Sequence, residues 1–227
     1  MRVGRKMLNS SAVNWNPHCE RDSLATQHSS RNSQPMPTID RPQFQLSTQF
    51  IKADIQREVQ LACASDLANP GGRAALTAAG VNHGGANFLA ALGLLCYTEF
   101  FGALAYNHRK KNADGSLKLY NGKEQAAAAA NFNSFFDYMG ASYESFRKTP
   151  HNVYGLFRCG MAHQFFVKAG ASAISIGENP NGIGVDYDRV NNVYMFFVLT
   201  YFRDLMTAVD RAENAGLITF PKTLPDL

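Results

Sequence analysis

FLAALGLLCYTEFFGALAY, residues 88–106, is the most apolar run in the chain, and its reading decides the fold class. About 20 apolar residues suffice to span a bilayer, so its length alone permits a membrane helix. Thr98, Glu99, Gly93 and Gly102 argue the other way, because a carboxylate near the middle of a span costs about 2.5 to 3.5 kcal/mol on insertion scales. The stretch therefore predicts the central core helix of a water-soluble bundle with no membrane partner, and Glu99 predicts a fixed polar partner inside it.

Working outward, Phe50, Ile51, Ile55, Val59 and Cys63 recur at helical spacing and predict an amphipathic helix from about Thr48 to Ala64, ended by Asn69-Pro70-Gly71-Gly72. Residues 73–79 add a short Ala-rich piece. Lys123 to Met139 predicts a helix with Phe132, Phe135 and Phe136 on one face, Ser142 to Arg147 a short one, and Val153 to Phe166 another. The last helix is expected over Val198 to Asn214. Between them, Asp114-Gly115 and Asn121-Gly122 flank a hairpin-like piece, and residues 172–197 alternate as short strands around Asn179-Pro180-Asn181-Gly182. The expected fold is mainly α: a compact bundle of about five helices with a small C-terminal β-hairpin or meander.

Residues 1–47 are rich in Ser, Asn, Gln, Arg and Pro without period and read as a polar, disordered tail. Residues 48–216 then form the single domain, and 217–227 a C-terminal tail. Arg2-Val3-Gly4-Arg5-Lys6 is followed by no continuous apolar stretch, which argues against a secretory leader. Cys19, Cys63, Cys96 and Cys159 are too widely spaced for a redox pair or disulfide framework, so reduced thiols and a cytoplasmic location are expected.

Of the formal charge of +4, residues 1–48 hold six Lys/Arg against three Asp/Glu, leaving sixteen against fifteen, a net +1, in the remainder. A nucleic-acid groove would have to come from local clusters, and Arg109-Lys110-Lys111 and Arg147-Lys148 are the two available. No phosphate-binding Gly loop and no Gly-x-Ser-x-Gly elbow is present. No two His stand at i, i+3 or i, i+4, so neither metal nor cofactor is expected.

Arg158 and His163, five positions apart near a helix end, remain as the chemistry-bearing pair. Tyr154-Gly155-Leu156-Phe157-Arg158-Cys159-Gly160-Met161-Ala162-His163 resembles the Arg-x4-6-His motif of the HEPN superfamily, the higher-eukaryote and prokaryote nucleotide-binding domains. The resemblance extends over about residues 48–168, and its specific part is these ten residues. It implies a helical bundle that dimerises and brings two motifs to one cleft. It further implies a metal-independent endoribonuclease of a defence or toxin-like system, with RNA as partner. His163 would move the proton of a ribose 2′-hydroxyl, Arg158 would hold the scissile phosphate, and Glu99 would orient the site. The position after Arg158, commonly polar in active members, is Cys159. The other reading is a non-catalytic module that dimerises through the aromatic faces of Phe132–Tyr138 and Tyr194–Phe202, with Arg158 and His163 in structural roles.

Overall fold

The computed structural model describes residues 38–83, 86–120, 123–164 and 171–223, all within one unit spanning Met36–Leu227. Of the tail expected over residues 1–47, residues 1–37 lie outside them, while residues 38–47 belong to the folded unit as β1 and the start of α1. The fold is mainly helical, with seven α-helices among the described residues instead of about five. They are α1 (Arg41–Ser65), α2 (Pro70–Ala78), α3 (Ala86–Ala105), α4 (Ala128–Tyr138), α5 (Ala141–Lys148), α6 (Gly160–Gln164) and α7 (Val198–Asn214). The extra count arises because the two short pieces expected near residues 73–79 and 142–147 form helices in their own right, α2 and α5.

The expected core helix is α3, which packs against α1, α4 and α7. Its Asn87–Ala105 stretch is long and apolar enough to cross a membrane, and it is mostly buried inside the molecule. Ala90, Ala91, Leu94, Leu95, Phe101 and Leu104 are completely buried, each large side chain contributing about 1.5–3 kcal/mol of apolar burial. Gly102 lets α4 approach, since a Cβ there would collide with the Asn131 backbone. Thr98 Oγ1 meets the Tyr201 hydroxyl at 2.8 Å, joining α3 to α7 by a hydrogen bond in the dry interior.

Helix α1 starts seven residues before the predicted Thr48. Asp40 caps it: its Oδ1 accepts from the Gln43 N–H at 2.8 Å, and the Gln43 side chain accepts from the Asp40 N–H at 3.0 Å. Phe44 is buried and meets Phe220 at 5.1 Å between ring centroids. Just outside both, β1 (Thr38–Ile39) pairs antiparallel with the chain's last described strand, Lys222–Thr223. Ile218 is buried as well, so residues 217–223, expected as tail, close the core.

Residues 107–120 and 123–127 form a β-excursion between α3 and α4, with β2 (Leu119–Tyr120) antiparallel to β3 (Lys123–Glu124); the expected Asn121-Gly122 turn lies outside the described residues. Helix α4 consequently starts at Ala128. Ala126 belongs to a bridge with Arg109, and tertiary pairing overrides the helix propensity of the alanine run.

The C-terminal sheet is mixed, in the order β4 (Ala171–Ser175), β6 (Val193–Phe197), β5 (Val185–Asp188). Strands β5 and β6 form an antiparallel hairpin, but β4 is parallel to β6, so the expected meander is corrected. A parallel pair needs a crossover, and residues 176–192 supply it. Asn179 anchors this connection: its N–H donates to Thr200 Oγ1 at 2.8 Å and its Nδ2 to the Ile183 carbonyl at 2.6 Å.

Phe132, Phe135 and Phe136, with Phe196, Val198 and Tyr201, are buried in this chain's own core. Of the aromatic faces expected to join two copies, Tyr138, Tyr194 and Phe202 remain partly exposed.

Candidate functional site

The residues nominated by sequence lie on α3 and on the turn before α6. Residues Tyr154–Cys159 form a π-helical turn, entered through Asn152, whose Oδ1 accepts the Gly155 N–H at 2.9 Å. A Cβ on Gly155 would press against the Asn152 side chain, which explains a glycine here. Single π-turns inside helices interrupt the i→i−4 ladder and recur at functional sites. This one places Arg158 toward α3 while Phe157 and Met161 remain buried.

Arg158 Nε stands 2.7 Å from Glu99 Oε2. The carboxylate is the deeper partner, with 9% of its side chain exposed against 21% for Arg158. The approach is a charge contact and not a directed hydrogen bond: neither atom has an acceptable hydrogen-bond partner, although both are buried. The Arg158 guanidinium also lies over the Tyr154 ring, 5.9 Å from its centroid. Burial works against the Arg158 cation, but the neighbouring groups, the Glu99 carboxylate foremost, together outweigh it, so the guanidinium is held more firmly charged than in water.

Two further side chains, which sequence reading passed over, complete this environment. The Tyr154 hydroxyl is pushed up to about 12, first by burial and then by the Glu99 charge. Burial likewise pushes the Cys96 thiol up, with Arg158 opposing. Cys96 stands three residues before Glu99 on α3, and that helical spacing is the signal that would have found it. A neutral phenol and a neutral thiol thus flank one compensated ion pair.

His163 lies in α6, one turn beyond Arg158; its side chain is outside the described residues. Asp204, an acid on α7 that could have held His163 in a purely structural role, is engaged elsewhere, accepting from the Tyr143 hydroxyl at 2.7 Å. The Tyr143 oxygen also accepts the Gly184 N–H at 2.8 Å, which docks α5 and α7 onto the sheet's edge. Burial and the Asp204 charge push the Tyr143 phenol far above its ordinary range, so it serves as a permanent donor.

Another polar pair joins the β-excursion to α4. His108 Nε2 lies 2.9 Å from Ser134 Oγ, and the His108 N–H donates to Asn131 Oδ1 at 2.7 Å. The His108 ring stacks on Tyr106, which makes it a brace for the loop. His151 is embedded between Phe146 and Tyr187, with its Nδ1 3.1 Å from the Tyr194 hydroxyl. Among the described residues no group of three or more His, Cys, Asp and Glu side chains is arranged to hold a metal ion.

What the arrangement offers chemically is an ion-paired cation beside a π-turn, with its Nε facing Glu99 and its guanidinium over Tyr154. Compared with protein-family models, with curated proteins and with solved structures, the chain matches none.

Proposed function

We propose that the chain is a HEPN-like helical domain whose Arg158 and His163 form a metal-independent endoribonuclease site, with Glu99 as the residue that orients Arg158. The observation that carries this reading is the 2.7 Å contact between Arg158 and Glu99 at a π-helical turn. An arginine held by its Nε keeps the two Nη donors in a fixed fork, the geometry that suits a phosphate's paired oxygens. His163 then serves as the proton-transfer group on the 2′-hydroxyl, in the cytoplasm, with the second motif of a homodimer completing the cleft.

The test is cleavage of a fluorescent single-stranded RNA in EDTA. The reading expects cleavage leaving a 2′,3′-cyclic phosphate, abolished by His163→Ala and by Arg158→Ala, and reduced by Glu99→Gln. Cleavage that survives His163→Ala sinks the mechanism.

A second reading, a non-catalytic dimerising module, is favoured by one specific observation. Arg158 is four-fifths buried and already neutralised by Glu99, which lowers the net charge available to a phosphate. With Phe132, Phe135, Phe136, Phe196 and Tyr201 committed to the core, such a module would also use exposed apolar side chains such as Leu46 and Phe50 on α1. A stable dimer that neither cleaves nor binds RNA at low salt supports this reading.

A further inference from the structure

The β-excursion between α3 and α4 carries a charge pattern that its register makes explicit. Residues 107–127 hold five cations, Arg109, Lys110, Lys111, Lys118 and Lys123, against two acids, Asp114 and Glu124, a net +3. Because residues 49–227 sum to only +1, everything else in that span sums to −2. The excursion is a basic projection from a slightly acidic body.

Its two faces differ in kind. Arg109 bridges Ala126, Lys111 bridges Leu117, and Leu119 pairs with Glu124. Residues directly opposite in antiparallel pairs share a face, and alternate residues along a strand do too. One face therefore holds Arg109, Lys111, Leu117, Leu119 and Glu124, and the 3.0 Å ion pair of Arg109 with Glu124 lies on it.

The opposite face holds Lys110, Lys118 and Tyr120. Lys110 and Lys118 are directly opposed: the Lys118 N–H donates to the Lys110 carbonyl at 2.9 Å. The Gln125 N–H donates to the Lys118 carbonyl, while the Lys110 N–H donates to the Gln125 carbonyl. Lys123 takes the register position across from Tyr120.

Like charges directly opposite in a sheet destabilise it. Among the described residues no carboxylate relieves this pair: Glu124 sits on the other face, and Asp114 is spent on the turn, accepting the Ser116 N–H at 2.9 Å and the Ser116 hydroxyl at 2.6 Å. Lys110 and Lys118 are exposed, and Tyr120 is 67% exposed. Two uncompensated lysines beside an open phenol ring are the elements of a single-strand binding surface, in which cations track phosphates and an aromatic face stacks a base.

We propose that the Lys110, Lys118 and Tyr120 face of this arm binds single-stranded RNA. The distribution of apolar side chains selects a nucleic acid over an anionic membrane. Leu117 and Leu119 take register positions on the other face, so the face of Lys110, Lys118 and Tyr120 presents no leucine for a bilayer to take up. The choice of RNA over single-stranded DNA rests on the ribonuclease reading; the binding face itself does not.

Fluorescence anisotropy of a fluorescein-labelled oligouridylate, titrated in EDTA at low salt with the full chain carrying His163→Ala, tests it without cleavage. Lys110→Glu with Lys118→Glu is expected to weaken binding at least tenfold, and the milder Lys110→Gln with Lys118→Gln less. Tyr120→Ala is expected to weaken it about tenfold, as loss of one base-stacking platform does. The control Arg57→Glu on α1, outside both basic clusters and normally paired with Asp54 at 3.2 Å, should leave affinity within about twofold.

Losing two phosphate contacts should lower the slope of log affinity against log salt by about 1.4. Equal affinity in arm and control variants, or binding to phosphatidylserine vesicles in place of RNA, overturns the proposal. Cleavage with arm-independent binding overturns the arm alone. Arm-dependent binding by the His163→Ala chain, with no cleavage by the chain that keeps His163, overturns the ribonuclease reading alone.

Discussion

Glu99 and Arg158 meet at 2.7 Å, with the carboxylate the more deeply buried of the two. The costs of breaking the pair are therefore unequal. Arg158→Met strands a buried carboxylate and should cost about 3–4 kcal/mol, within the range for a broken buried pair. Glu99→Leu leaves a guanidinium on a long stem that can turn to water, and should cost about 1–2 kcal/mol. The double variant should recover much of the loss, because removing both charges also removes their desolvation. Urea unfolding of the four proteins measures this; strictly additive losses would show that the two charges are not coupled.

Two glycines on α3 offer a comparison of close approach. Gly102→Ala drives a methyl group into the Asn131 backbone and should cost about 3 kcal/mol as α3 and α4 separate. Gly93→Ala meets nothing nearer than Ile55 Cδ1 at 3.6 Å, and should be neutral or stabilise by up to about 1 kcal/mol through helix propensity. Thermal unfolding of the pair should separate them clearly; a neutral Gly102→Ala would mean that α3 and α4 are not in this contact.

Tyr201→Phe removes the hydroxyl that meets Thr98 in the core and should cost about 1–2 kcal/mol. Thr98 retains its donation to the Leu94 carbonyl at 2.9 Å, so the helix itself should survive. Tyr201→Phe combined with Thr98→Val should cost less than the two single losses together, because no unmatched polar atom remains. Chemical denaturation checks the sign of that coupling.

His151 supplies a pH dependence. Burial, and then the Arg189 charge, lower its basicity below the usual histidine value near 6.5. The folded protein thus binds fewer protons than the unfolded chain between the lowered value and 6.5, and stability must rise with pH through that window. The contribution is fully present above about pH 6.5 and is lost as pH falls through the folded value. The thermal midpoint should drop from about pH 7 to about pH 5, and His151→Gln should flatten that drop. An unchanged slope in the variant would assign the dependence to other groups.

Much of the helical order was legible because it is local. Val198–Asn214 carries an apolar stripe and ends before a glycine, and α7 has those bounds. The apolar run with its lone Glu99 identified a core helix carrying an internal polar contact, and both are present. The start of α1 was legible too, in Asp40 and Gln43 at capping-box spacing, but the polar composition around them concealed it.

What escaped the sequence depends on distant pairing. The order of β4, β6 and β5 follows from where residues 176–192 cross, which alternation within each strand does not encode. The phenylalanines of α4 showed an apolar face without showing that α3 covers it. Tyr154 and Cys96 joined the Arg158 environment only once the π-turn had set its direction.

The antiparallel pairing of Thr38 with Thr223 bears on how the molecule is made. On the ribosome, α1 emerges well before Phe220 and the strand beside it, which seal one end of α1. Final closure must therefore wait until residue 223 has emerged, and until then Phe44 lacks its covering ring. The same adjacency means that a short linker from residue 223 to residue 38 would make a circular permutant opened at an exposed turn such as Asp114-Gly115, with α1 and its seal made in one continuous stretch.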